Sequence, residues 1–284
     1  MVHLLRLQHN NDDTISQEFY VWETVAESAK NAIGIRCVIW VAHHALFIFC
    51  LPRRYRLLDY LFTAFHKAHL DGTPVLHPLW HFFPQDPATY GIDLQFFFGD
   101  SILVSPVTQE NVTSVTAYFP NAIFYDFTTY DTLQGQGQDV TFDDVDYTQI
   151  PVHIRGGSIL PLRASGAMTT TALRGTDFEI LVAIDADGKA SGSLYVDDGV
   201  SLDPQTCTEV CFEYANGTLE AKGSFGYPLD VNVATVRFLG VQNTPKQVLF
   251  NGEEVECADG QKGGVVIINP AFPFNSNFTV ELQD

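Results

Sequence analysis

Residues 150–162 read "IPVHIRGGSILPL". Two short apolar runs, "IPVHI" and "SILPL", flank Arg155-Gly156-Gly157. Each run is too short for a stable helix and has the length of a strand, so the unit reads as strand, turn, strand. It is no phosphate cradle, because the glycines lead into another strand and not into a helix whose N-terminus would hold an anion. Working outward, the same signal repeats every eight to twelve residues from about Asp93 onward: "SILVSPV", "AIFYDF", "FEILVAI", "VCFEYA", "VNVATVRFL", "KQVLF" and "FTVEL" are punctuated by Gly, Pro, Asn and Asp. That rhythm predicts antiparallel β-sandwiches.

Two Asn-Gly pairs sharpen the prediction. Asn216-Gly217 and Asn251-Gly252 each sit between strand-like runs, where both residues tolerate the positive φ of a two-residue hairpin turn. "FEILVAIDADGKASGSLYVDDG" reads as a third hairpin, turning at Asp185 to Gly188. The polar stretch "RASGAMTTTALRGTD" marks a boundary, giving units at 101–175 and 176–284. Residues 1–100 differ in character. Ser16 caps an amphipathic pattern, and "YRLLDYLFTAFHKAHLDG" reads as a helix stopped at Asp71-Gly72.

Residues 37–54, "CVIWVAHHALFIFCLPRR", interrupt that helical region. About sixteen apolar residues at ~1.5 Å each reach ~24 Å, short of a ~30 Å hydrocarbon core. His43 and His44 lie mid-run and Pro52 would break a core helix continuing into "YRLLDY". Eighteen residues are five whole helical turns. Deleting them therefore leaves Ala29, Ile33, Tyr55, Leu58, Phe62 and Phe65 on one face.

Composition narrows the function classes. A chain of 284 residues with 46% hydrophobic and 17% charged residues is globular and long enough for two or three cores. A formal charge of −19 repels a phosphate backbone and argues against nucleic acid as partner. Five cysteines, with no CxxC pair, argue against structural zinc; Cys207 and Cys211 either pair across a small loop or stay free. Sequons at Asn111, Asn216 and Asn277 favour secretion, whereas "MVHLLRLQHNNDD" shows no export signal.

Several strings, in order, carry a family resemblance. "ISQEFYVWETVAESAKNAIGIR" joined to "YRLLDYLFTAFHKAHLDGTPVLHPLWHFFPQD", then "DLQFFFGDSILVSPV", "PVHIRGGSILPL" and "GSLYVDDGVSL", resemble the late barrel segment and C-terminal sandwiches of glycoside hydrolase family 31, the α-glucosidases. The resemblance implies a mainly β fold, in which helices of an incomplete (β/α)8 barrel precede two antiparallel β-sandwiches. It implies that residues 37–54 are retained intron sequence, since the family stretch runs on without interruption. "LQHNN" resembles the family's pocket motif, which implies that His9 hydrogen-bonds the glucose unit beside the scissile bond; Leu7 and Gln8 depart from it. The implied parent hydrolyses terminal α-linked glucose of α-glucosides or maltooligosaccharides, with retention and no organic cofactor, in a secreted or vacuolar/lysosomal setting.

Retention needs two carboxyl groups ~5–5.5 Å apart. The family's nucleophile string does not occur in this sequence and its acid/base segment would precede it, so no catalytic residue is assigned and the chain alone is expected to be silent. Other acids have simpler readings. Asp197-Asp198 suits a tight turn, Asp143, Asp144 and Asp146 a solvated loop, and Asp12-Asp13 a polar loop. His66 and His69, at i and i+3, read as surface helix positions with no metal partner in view. The alternative function is a non-catalytic carbohydrate-binding or structural module, with Trp80, Tyr130 or Tyr214 stacking on sugars.

Overall fold

The computed structural model describes residues 55–109, 112–145, 149–167, 169–259 and 264–283. The insert at 37–54, the amphipathic pattern before it, His9, Asp12-Asp13, Asn111 and Asp146 lie outside these residues.

Helix α1, Leu58–Asp71, ends where the sequence places its stop. Gly72 adopts φ 76° and its N–H closes the helix on the Ala68 carbonyl at 3.0 Å, a left-handed cap that a Cβ would disfavour. The burial of α1 is one-sided among the described residues. Tyr60 and Leu61 are buried, while Phe62, Phe65 and Leu70 remain exposed. A single turn, α2 (Leu79–Phe82), comes after the short strand Leu76–His77.

That short strand begins an antiparallel sheet of six strands among the described residues. Its order is Leu76–His77, Phe96–Phe98, Ile102–Val104, Val152–Arg155, Ile123–Asp126 and Thr132–Gln134. A separate pair, Val115–Phe119 with Gln138–Phe142, closes over it and contributes Ala117 and Phe119 to an aromatic core with Phe97 and Phe124.

Sheet membership changes at Gly156-Gly157, before the polar stretch that marks the expected 175/176 boundary. The next strand, Ser158–Arg163, enters a second sheet of twelve strands among the described residues. This sheet folds over its own core. Tyr214 from one arm packs on Phe238 of the other at 5.6 Å, and Phe274 contacts both Phe178 and Phe212. Both Asn-Gly turns form as read. Asn216 and Asn251 each have φ 51°, and the flanking pairs Ala215↔Thr218 and Phe250↔Glu253 close two-residue hairpins.

The third hairpin does not form. Its turn is present, with Asp185 Oδ1 accepting from the Asp187 and Lys189 amides, yet the strands Phe178–Ala183 and Ala190–Val196 are not neighbours. Ser158–Arg163 lies between them: the Gly157 amide donates to Ala183 and its carbonyl accepts from Ser191. Phe178–Ala183 instead gains a parallel partner, Asn232–Leu239, in an otherwise largely antiparallel sheet. Burial reflects this placement. Thr208–Ala215 alternates buried and exposed, as a strand with one solvated face should. Phe178–Ala183 and Ser158–Arg163 are buried throughout, because Phe178, Ile180 and Val182 face the sandwich core while Leu181, Ala183, Leu160 and Leu162 face a second core shared with Tyr60 and Leu61 of α1.

Candidate functional site

The two strands buried on both faces carry charges that apolar strands ordinarily exclude. Arg163 closes "SILPLR" and Glu179 is the second residue of "FEILVA". Burial demands partners for each charge, and both find them toward α1. The Arg163 side chain is 1% exposed; its Nε donates to Asp59 Oδ2 at 2.6 Å and its Nη2 to Asp59 Oδ1 at 3.1 Å, a two-point fork. Its Nη1 donates to the carbonyls of Thr176 and Arg174, just beyond and within the short helix α3 (Thr170–Arg174), and the guanidinium sits 4.0 Å from the Phe178 ring centre. Alongside, Arg56 donates to the Arg163 carbonyl and to Glu179, whose other oxygen accepts from Arg237. Three guanidiniums and two carboxylates thus tie the start of α1 to the second sheet.

Further along, α1 is held by a hydrogen bond and a ring stack. Thr63 Oγ1 accepts from the Tyr195 amide, and the His66 ring lies flat on Tyr195 at 3.5 Å. Tyr60 donates to the Phe98 carbonyl and accepts from the Ser101 amide, so α1 also grips the first sheet. Burial and then the Asp100 charge push the Tyr60 phenol well above its ordinary range, so it stays a neutral donor. A Cβ on Gly99 would meet the Tyr60 oxygen at 2.0 Å. In "DLQ", Gln95 forms a clip: its Nε2 donates to Ser105 and the Tyr118 carbonyl, and its Oε1 accepts from the Tyr118 amide.

The residues singled out from sequence are scattered rather than gathered. Asn216 and Asn277 are exposed, and Asn277 Oδ1 accepts from the Gly223 amide. Asp197 accepts from Tyr195 and the Gly199 amide, while Asp198 takes the Val200 and Ser201 amides and is held down at about 2, the Ser201 hydroxyl being the largest cause. Asp143 and Asp144 are exposed, and His69 is exposed on α1. Among the described residues no group of three or more His, Cys, Asp or Glu is placed to hold a metal ion. Cys207 and Cys211 are free; four extended residues span roughly 13 Å, beyond the ~4.4–6.8 Å that a disulfide bridges between Cα atoms. Of the three aromatics, Tyr214 belongs to the core, Tyr130 lies under Arg237 at 5.0 Å, and Trp80 is 47% exposed. Two clefts of about 60 and 220 Å³, lined by residues such as Tyr60, Lys67 and Asp100 or Arg174, Tyr227 and Asp230, fall below the ~300 Å³ of a formed small-molecule pocket. No helix among the described residues is long and apolar enough to cross a membrane.

Sequence reading missed Asp59, Arg163 and Glu179. The signal was present in Arg163 and Glu179, each a lone charge in or at the end of a run otherwise apolar enough to be buried on both faces.

One further titrating group sits in the first unit. His153 is 2% exposed, between Phe119 at 4.9 Å and Phe142 at 5.2 Å. Burial draws its pKa down to about 4, against a weaker upward pull from Asp126.

The Aspergillus fumigatus protein named probable alpha/beta-glucosidase agdC is 49% identical over 237 residues, 84% of this chain and 25% of that one. The alpha-glucosidase of Schizosaccharomyces pombe is 37% identical over 250 residues, 87% of this chain and 24% of that one. The fold resembles a crystal structure of a glucosidase II alpha subunit in its Glc1Man2-bound form, with a TM-score of 0.70 and 26% identity over 81% of this chain and 28% of that one. Residues 72–160 match the family model for the "Glycosyl hydrolase family 31 C-terminal domain". The chain spans about a quarter of the length of the curated relatives it matches.

The buried charges make two outcomes testable. Arg163→Met leaves Asp59 buried without its fork and should lower unfolding stability by ~3–5 kcal/mol in a denaturant titration; a loss below ~1 kcal/mol would show the pair to be incidental. For His153, the unfolded chain binds a proton near pH 6.5 and the folded chain only near pH 4. Stability is therefore full above pH 6.5 and falls by about 3 kcal/mol as pH drops to 4. In His153→Leu that segment of the stability–pH curve should flatten, and an unchanged slope would refute the assignment.

Proposed function

The chain belongs to glycosyl hydrolase family 31, and on that premise we propose that it is the C-terminal portion of a retaining α-glucosidase acting on terminal α-linked glucose. The observation that supports this most is the 49% identity that runs over 84% of this chain yet only 25% of the relative. In such a parent, α1 would belong to the barrel, and the two sheets would brace it from behind. The clamp of Arg163 on Asp59 suits that task, because it fixes a barrel helix to a strand buried on both faces. His9 would belong to the glucose pocket, and Asn111, Asn216 and Asn277 would carry glycans.

Hydrolysis with retention needs a nucleophile and an acid/base whose environments hold one ionised and the other protonated. Asp197 and Asp198 cannot serve as that pair, since their oxygens accept turn amides and hydroxyls at the end of a strand. With no other pair assigned to this chain, it is expected to be silent alone. Purified chain assayed with maltose and an aryl α-glucoside should release no glucose above the no-protein control. Turnover that disappears when an acid of this chain is replaced would overturn the proposal.

A further inference from the structure

Arg155, at the end of the strand Val152–Arg155, differs from Arg163 in one respect. Arg163 makes four hydrogen bonds, two of them to a carboxylate. The Arg155 guanidinium lies over Phe82, 4.5 Å from the ring centre, with Phe97 at 5.9 Å, and its buried Nε has no hydrogen-bond partner among the described residues. Asp100 is the acid whose charge reaches it. Asp100 Oδ1 instead accepts from Ser101 at 2.6 Å and Tyr60 at 3.4 Å, and no ion pair joins it to Arg155 among the described residues. His77 packs on the same Phe82 ring at 5.0 Å; it is 3% exposed, and its buried Nδ1 likewise lacks a partner. His81, 4.4 Å from His77, and Trp80 form an exposed aromatic rim beside them.

Both side chains pack on Phe82 and each carries a buried nitrogen without a partner among the described residues; a carboxylate would accept from the Arg155 fork, and from His77 in the tautomer that protonates Nδ1. Position indicates the source. Leu76–His77 is the end strand of its sheet, Leu76 is 55% exposed, and the chain spans about a quarter of its relatives. We propose that Arg155 and His77, on the floor made by Phe82, receive an acidic side chain from the part of the polypeptide that the relatives possess outside the span matched here. This rests on the reading of the chain as a C-terminal portion. A free anion, or an acid from residues 1–54 of the chain itself, would use the same chemistry and is separated by the test.

The test mixes the full chain with the separately produced remainder of the Aspergillus fumigatus relative and measures Kd by titration, with glucose release from an aryl α-glucoside as second readout. A complex should form with the wild-type chain and weaken about thirtyfold or more with Arg155→Met. Arg155→Lys, a charge without the fork, should fall between the two, and carries the comparison if the Met variant does not fold. Equal affinity of wild type and both variants would overturn the proposal while leaving the family reading intact if the complex hydrolyses the glucoside. No complex with wild type would overturn both. Stabilisation of the unmixed chain by acetate that depends on Arg155 would point to a free anion. A large loss of melting temperature in the unmixed Arg155→Met chain, with Kd unchanged, would assign Arg155 to the chain's own fold; either result rejects the partner.

Discussion

The fork between Arg163 and Asp59 is the constraint on which the arrangement rests. A guanidinium 1% exposed to solvent has no escape to water, so the acid that neutralises it must stay within reach. Asp59 lies in the first turn of α1, and fixing its carboxylate fixes where that helix begins. Once placed, α1 can grip both sheets: Tyr60 reaches the first at Phe98 and Ser101, while Thr63 and His66 meet Tyr195 in the second. The charges select a register; the apolar contacts of Tyr60 and Leu61 provide most of the adhesion.

The same logic explains how the second sheet is held to α1 on one side and to its own core on the other. Ser158–Arg163 and Phe178–Ala183 wall two cores at once. A strand buried on both faces cannot loosen toward one side without uncovering the other.

Much of the fold was legible in the sequence. Strand periodicity and the two Asn-Gly turns depend on local sterics, and local sterics are written in neighbouring residues. The failed third hairpin shows the limit. Its turn residues behaved as read, but whether the strands beyond the turn pair depends on a segment some twenty residues earlier, which the Gly156-Gly157 bend feeds between them. Asp59 was opaque for the same reason, its partner lying 104 residues away. Arg163 and Glu179 could have been flagged as charges in buried strands, although nothing local names their partners. Aromatics illustrate the reverse: Trp80, Tyr130 and Tyr214 look alike in sequence, and only tertiary packing sends one to the surface, one beneath Arg237 and one to the core.

If the clamp makes helix and sheet one cooperative body, they must open together. Native-state hydrogen exchange reads this directly. The amides of Leu61 to Ala68 in α1 should exchange with the same opening free energy, within about 1 kcal/mol, as those of Ile180 to Val182 in the doubly buried strand. Helix amides that exchange through a separate, much cheaper opening while the strand stays protected would contradict the account.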